Sequence, residues 1–189
     1  MAKRVNTDQL TGGSRDVCPQ YMSGRVTMTA ANTAVELSLG TPIVRVGPQT
    51  AGKSIIMELI RLYVDFPKID QDNAAATDRT MQFSMTTTST GGTPAIATLD
   101  NPRSVAFLSK EVRNAFTAAG TGILDINQDP HVWDFTDGAG HGILIATDNL
   151  FLQAITSGQS GASSFNFKLL YRFHTVSLVE YIGIVQSQQ

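Results

Sequence analysis

The chain has 189 residues, 42% of them hydrophobic, which suffices for one buried core and one domain of ordinary size. A formal net charge of -2 exerts no general pull on nucleic acid or membrane surfaces. The single cysteine, Cys18, excludes an internal disulfide, and no apolar run approaches the length of a bilayer span.

The first residues, MAKRVNTDQL, lack the apolar stretch of a secretory signal. Residues 1–20 read as a short flexible or extended arm carrying Lys3, Arg4 and Arg15, and residues 21–189 as one domain. RVTMTA at 25–30 alternates Val26 and Met28 against Thr27 and Thr29, and TAVELSL at 33–39 alternates Val35, Leu37 and Leu39 against Glu36 and Ser38. Both patterns predict half-buried strands.

GPQTAGKS at 47–54 then raises a competing reading. Gly47, Gly52, Lys53 and Ser54 satisfy the nucleotide-binding pattern G-x-x-x-x-G-K-[ST], in which backbone N–H groups cradle phosphates and the hydroxyl holds Mg²⁺. The pattern needs a helix to follow it inside a parallel sheet. SIIMELIRLYVDFP fits a helix in that Glu58, Arg61 and Asp65 share one face. As a strand it sets Ile56, Ile60, Leu62, Val64 and Phe66 against Arg61 and Asp65, and its branched and aromatic residues favour the strand. Nothing downstream supplies repeated βαβ units, so Gly47–Ser54 reads as a turn and not as a nucleotide site.

TMQFSMTTTS at 80–89 predicts another half-buried strand, whereas SVAFLSKEVRNAFTA at 104–118 predicts a short helix capped by Ser104. Between 125 and 148 lies an acidic and histidine-containing zone in which Asp125, Asp129 and Asp137 are weak candidates for Ca²⁺ at a subunit contact. Their spacing matches no calcium loop, and Asp129-Pro130 and Asp137-Gly138 are ordinary turn-formers, so no metal or other cofactor is assigned. HVWDF and the runs within GILIATDNLFLQAITSG add short strands, and Trp133 reads as core. In SFNFKLLYRFHTVSLVEYIGIV, Phe165, Phe167, Leu169, Tyr171 and Phe173 share a parity, after which the segment is nearly apolar throughout. The whole stretch 164–185 predicts a central strand buried on both faces, with only QSQQ beyond it dispensable. Charged residues at 16%, with 16 Gly and 7 Pro, suit strands and turns over crossover helices. The predicted class is all-β, a sandwich or barrel with one short helix.

DFTDGAGHGILIATDNLFLQAITSG and FNFKLLYRFHTVSLVEYIGIVQSQQ, with DVCPQYMSG, LIRLYVDFP and RNAFTAAGT upstream, resemble capsid proteins of small circular Rep-encoding single-stranded DNA viruses, and the resemblance covers most of the chain. It implies a single jelly roll of two packed four-stranded antiparallel sheets, repeated around a small icosahedral shell. It also implies a non-enzymatic, self-assembling protein of the virion and of the host cell during assembly, with packaged single-stranded DNA as partner and no membrane. The short arm departs from the long basic arms frequent in such proteins, so contact of Lys3, Arg4 and Arg15 with DNA is expected to be weak. Two readings from other classes remain open: a P-loop hydrolase using Gly47–Ser54, and a trimeric jelly-roll binding module. No catalytic residues are assigned, since GQSGASS misses the G-x-S-x-G elbow of a serine nucleophile.

Overall fold

The computed structural model describes residues 19–29, 33–42, 52–67, 79–91, 96–112, 130–158 and 162–188. Strands β1 (Gln20–Met28), β2 (Val35–Gly40), β3 (Lys53–Asp65), β4 (Arg79–Thr86) and β5 (Ser104–Val112) are followed by β6 (His131–Asp134), β7 (Ile143–Ile145), β8 (Asn149–Ser157) and β9 (Ser163–Ser177). One helix among the described residues, α1 (Leu178–Gln188), comes after them. One sheet runs β1-β9-β3, with β6 and β7 both paired to the remaining edge of β3, and the other runs β2-β8-β4-β5. Every pairing is antiparallel. β6 and β7 occupy successive stretches of the same edge, opposite 61–64 and 57–59, so they are one strand broken by residues 135–142. With that strand counted once, the sheets are the two four-stranded halves of a jelly roll.

Alternation places the core between the sheets. Val26 and Met28 of β1, Met81, Phe83 and Met85 of β4, Leu150, Leu152 and Ala154 of β8, and Phe165, Phe167, Leu169 and Tyr171 of β9 form one cluster. The parity read for β9 is the parity observed. β3 is a strand too, but Ile60 is a bulge: the register against β9 shifts between Leu59 and Arg61. Before it Met57 and Leu59 enter the core, and after it Leu62 and Val64 do. Ile56, expected beside Leu62, therefore lies on the outer face with Ala146 and Val176.

Two further expectations are corrected. Ser104–Val112 forms an edge strand and not a helix, because Ala106, Leu108 and Lys110 fall opposite Met85, Phe83 and Met81 of β4. Partnering along an existing edge outweighs the helical pattern, and the Lys110 ammonium lies 4.6 Å from the Phe66 ring centre. The strand reading of 164–185 is right only as far as Ser177. There a capping box starts α1: Ser177 N–H and Oγ–H donate to Glu180 Oε2 (2.8 and 2.9 Å), and Glu180 N–H donates to Ser177 Oγ (3.3 Å). Tyr181, Ile184 and Val185 then fall at helical spacing and pack over Ile56, Ala146 and Val176. Gln188, expected to be dispensable, is a clasp. Its Oε1 accepts from Ala146 N–H (3.0 Å), its Nε2 donates to Leu144 O (2.5 Å), and its carbonyl accepts from Thr87 Oγ1 (2.9 Å).

Replacing Ser177 with Ala removes the cap and is expected to lower unfolding free energy by about 1 kcal/mol, read from urea midpoints at unchanged m-value. Gly142→Ala is expected to cost more, roughly 1–3 kcal/mol, because a Cβ there overlaps the backbone carbonyl of Leu59; an unshifted midpoint would mean the strand break tolerates movement.

Candidate functional site

The outer face of the β1-β9-β3-β6 sheet carries the chemistry that the core excludes, and it divides into a covered half and an open half. On the covered half Glu58 and Arg172 stand opposite each other on β3 and β9. Glu58 is 1% exposed. Arg172 grips it with two bonds, Nε to Oε2 at 2.6 Å and Nη2 to Oε1 at 2.8 Å, and Gly142 N–H donates to Oε1 at 2.6 Å. The same Nη2 reaches Gly140 O at 3.2 Å, and His174 Nδ1 stands 3.6 Å from Oε2. Burial alone would push the Glu58 carboxyl up; the Arg172 and Gly142 hydrogen bonds, with the charges of Arg172 and His174, outweigh it and hold the group below its ordinary value. This is a joint between β3, β9 and the 135–142 loop.

The open half is a polar ladder read from strand register. Arg25, Asn166 and Asp65 form one rung; Ser23, Lys168, Tyr63 and Val132 the next; Tyr21, Leu170, Arg61 and Asp134 the third. Arg25 Nε donates to Asn166 Oδ1 at 3.0 Å, and Lys168 Nζ lies 4.2 Å from the Tyr21 ring centre. Arg61 binds Asp134 Oδ2 through Nε and Nη2 at 2.9 and 2.6 Å. Asp134 also accepts from Thr136 Oγ1 and N–H, and these bonds together with Arg61 lower its pKa to about 2. Tyr21, Arg25, Tyr63, Asp65, Asn166 and Lys168 line an open groove of about 680 Å³.

The outer face of the other sheet is closed by a different polar knot. Glu36 accepts from Ser89 Oγ, Thr90 N–H and Gln153 Nε2 at 2.5, 3.0 and 2.9 Å, while Gln153 Oε1 accepts from Ala97 N–H at 2.9 Å. These bonds tie Ser89, Thr90 and Ala97 to β2 and β8.

Of the residues singled out from sequence, Lys3, Arg4, Arg15, Gly47, Asp125 and Asp129 lie outside the described residues, as does Cys18. Gly52 sits in a turn with φ of 77°. Lys53 and Ser54 open β3, opposite Ser177 and Val176, where a phosphate-binding loop requires the first turn of a helix. Asp137 is spent within its own loop, accepting from Ala139 N–H and His141 N–H at 2.9 and 2.8 Å and facing His141 Nδ1 at 3.1 Å. Among the described residues no three His, Cys, Asp or Glu side chains gather as a metal-ligand set. Trp133 packs against the core beside Phe83. The Glu58–Arg172 joint and the groove were missed; the one available signal was the Glu58 carboxylate set among Ile55, Ile56, Met57, Leu59 and Ile60.

Arg172→Met leaves the Glu58 carboxylate buried without its partner and is expected to cost roughly 3–5 kcal/mol in urea unfolding at neutral pH. Because the folded pKa of Glu58 is below its unfolded value, its contribution is full above the unfolded value and disappears as pH falls through the folded one. Thermal midpoints of the native chain should therefore drop more steeply below about pH 4.5 than those of Glu58→Gln, and parallel acid limbs would remove Glu58 from the acid response.

No protein-family profile matches the sequence, and no curated protein is similar to it. Solved structures do match. Merkel cell polyomavirus VP1 in complex with disialyllactose superposes with a TM-score of 0.53 at 9% identity, over 88% of this chain and 98% of that one. VP1 of trichodysplasia spinulosa-associated polyomavirus in complex with GM1 oligosaccharide gives 0.50 at 9% identity, over 83% and 95%. At these identities the likeness is one of fold, and the fold shared is the jelly roll of viral capsid proteins.

Proposed function

We propose that this chain is the coat subunit of a small icosahedral virus particle, assembling with copies of itself around a single-stranded DNA genome. The observation that carries the reading is the jelly roll itself, which spans nearly the whole of a VP1 chain without a large unmatched remainder. The surface of α1 supports it. While Tyr181, Ile184 and Val185 pack inward, Leu178, Val179 and Ile182 are 46%, 81% and 46% exposed. A helix apolar on both faces calls for cover on both, and a neighbouring copy supplies it in a shell.

In this reading residues 1–20 form the arm and 21–189 the shell domain. Lys3, Arg4 and Arg15 touch the genome weakly and in a salt-sensitive way. The protein acts without catalysis or cofactor, in the virion and in the host cell during assembly, and engages no membrane. The single-stranded DNA class rests on the resemblance of phrases such as DVCPQYMSG and LIRLYVDFP to capsid proteins of Rep-encoding viruses.

Electron microscopy and light scattering of the purified chain test this. Uniform hollow spheres are expected, and Val179→Glu with Ile182→Glu should leave soluble, folded chain that no longer forms them. A stable monomer that hydrolyses ATP, with activity lost in Lys53→Ala, would replace the reading with a P-loop hydrolase. A trimer that grows no further would replace it with a binding module.

A further inference from the structure

The open groove on the β1-β9-β3 face has a composition unlike the chain as a whole. Tyr21 is 57% exposed, and its ring carries the Lys168 ammonium at 4.2 Å. On the other side of Lys168, directly opposite it on β3, is half-buried Tyr63. The rung above holds Arg25, diagonal to Lys168 across the β1–β9 pair and about 7–8 Å away by strand geometry. Arg61, on the third rung, is already neutralised by Asp134 at 2.6 Å, and Arg172 is held by Glu58. Among the described residues lining the groove, that leaves Arg25 and Lys168 against the carboxylate of Asp65, a local positive excess on a chain of net charge -2. Asp65 stands at the far side of its rung, 3.5 Å from Asn166 Nδ2, and the Asn166 carbonyl in turn holds Arg25.

Two aromatic rings flanking a lysine, with an arginine one rung away, combine stacking surfaces with fixed positive charge. Bases of any identity stack on such rings, while the cations track the backbone that joins them. An apolar partner would leave the excess positive charge uncompensated, and a duplex is too stiff and wide to place its stacked bases on a sheet face. We infer that this groove binds a segment of single-stranded nucleic acid, its bases on Tyr21 and Tyr63 and its phosphates on Lys168 and Arg25. The inference rests on the coat-protein reading and relocates the main cargo contact from the arm to the folded domain.

Anisotropy of a short fluorescent oligothymidylate, titrated with the full chain over a series of salt concentrations, tests the groove. Tyr21→Ala should weaken binding roughly fivefold or more with an unchanged salt slope, and Tyr21→Phe should restore it. Lys168→Gln and Arg25→Gln should each flatten the slope by about 0.7. Light scattering on the same samples reports particles separately. Wild-type affinity in all three loss variants, with binding abolished by deleting residues 2–15, would overturn the groove and leave the coat reading standing. Variants that bind oligonucleotide normally yet form no particles would overturn it as well, making this face a contact between copies. Particle failure of the native chain together with the expected variant pattern would support the groove and sink the coat reading instead.

Discussion

The buried ion pair between Glu58 and Arg172 governs the outer face of its sheet. A carboxylate at 1% exposure is tolerable only with its lone pairs filled, and here a guanidinium fork and a backbone N–H fill them. That N–H belongs to Gly142, in the break between β6 and β7, and the same guanidinium holds the carbonyl of Gly140. So the ion pair pins the loop that separates β6 from β7. His174, 3.6 Å from the carboxylate, is followed on its own strand by Val176, which lies under α1. Loop, strand break and helix seat thus share one electrostatic centre, and its complement is the dry core on the opposite face of the same strands.

How the fold showed in the sequence depended on which residues faced which neighbour. Strands with one wet face were readable: Val26 against Thr27, or Phe165, Phe167 and Leu169 against Asn166 and Lys168, alternate as a pleat requires. β3 was recognisable as a strand from its branched residues, and Leu62, Val64 and Phe66 face the core as their parity requires, but Ile56 before the bulge does not, since a bulge adds a residue without marking it. The segment after Ser177 misled for a physical reason. A helix apolar on two sides and a strand buried on two sides have the same hydropathy, and only Ser177 and Glu180, three apart, distinguished them. Ser104–Val112 misled in the opposite direction, because its Ser, Lys and Glu have fair helical preference and the β4 edge that claims it lies elsewhere in the sequence.

The surface features were less legible, because they are assembled from distant segments. Tyr21, Tyr63 and Lys168 become neighbours only when β9 is laid between β1 and β3. The nucleotide-loop motif failed the other way, being local and complete in sequence while its last two residues enter an antiparallel strand. Short motifs are informative when the fold presents them in the context their chemistry needs.

The position of β9 also has a consequence for biosynthesis. β9 is hydrogen-bonded to β1 on one side and β3 on the other, and residues 163–177 are translated more than a hundred positions after β1. Until they leave the ribosome, the first sheet has no centre, and the apolar faces of β1 and β3 wait uncovered. The second sheet is less delayed, since β4 and β5 pair as a local hairpin before β8 arrives. Vectorial synthesis therefore produces half a sandwich first, a state with exposed core that attracts chaperones and favours aggregation when expression outruns folding. Slower translation or lower temperature during expression acts on that interval, leaving the finished sandwich unchanged.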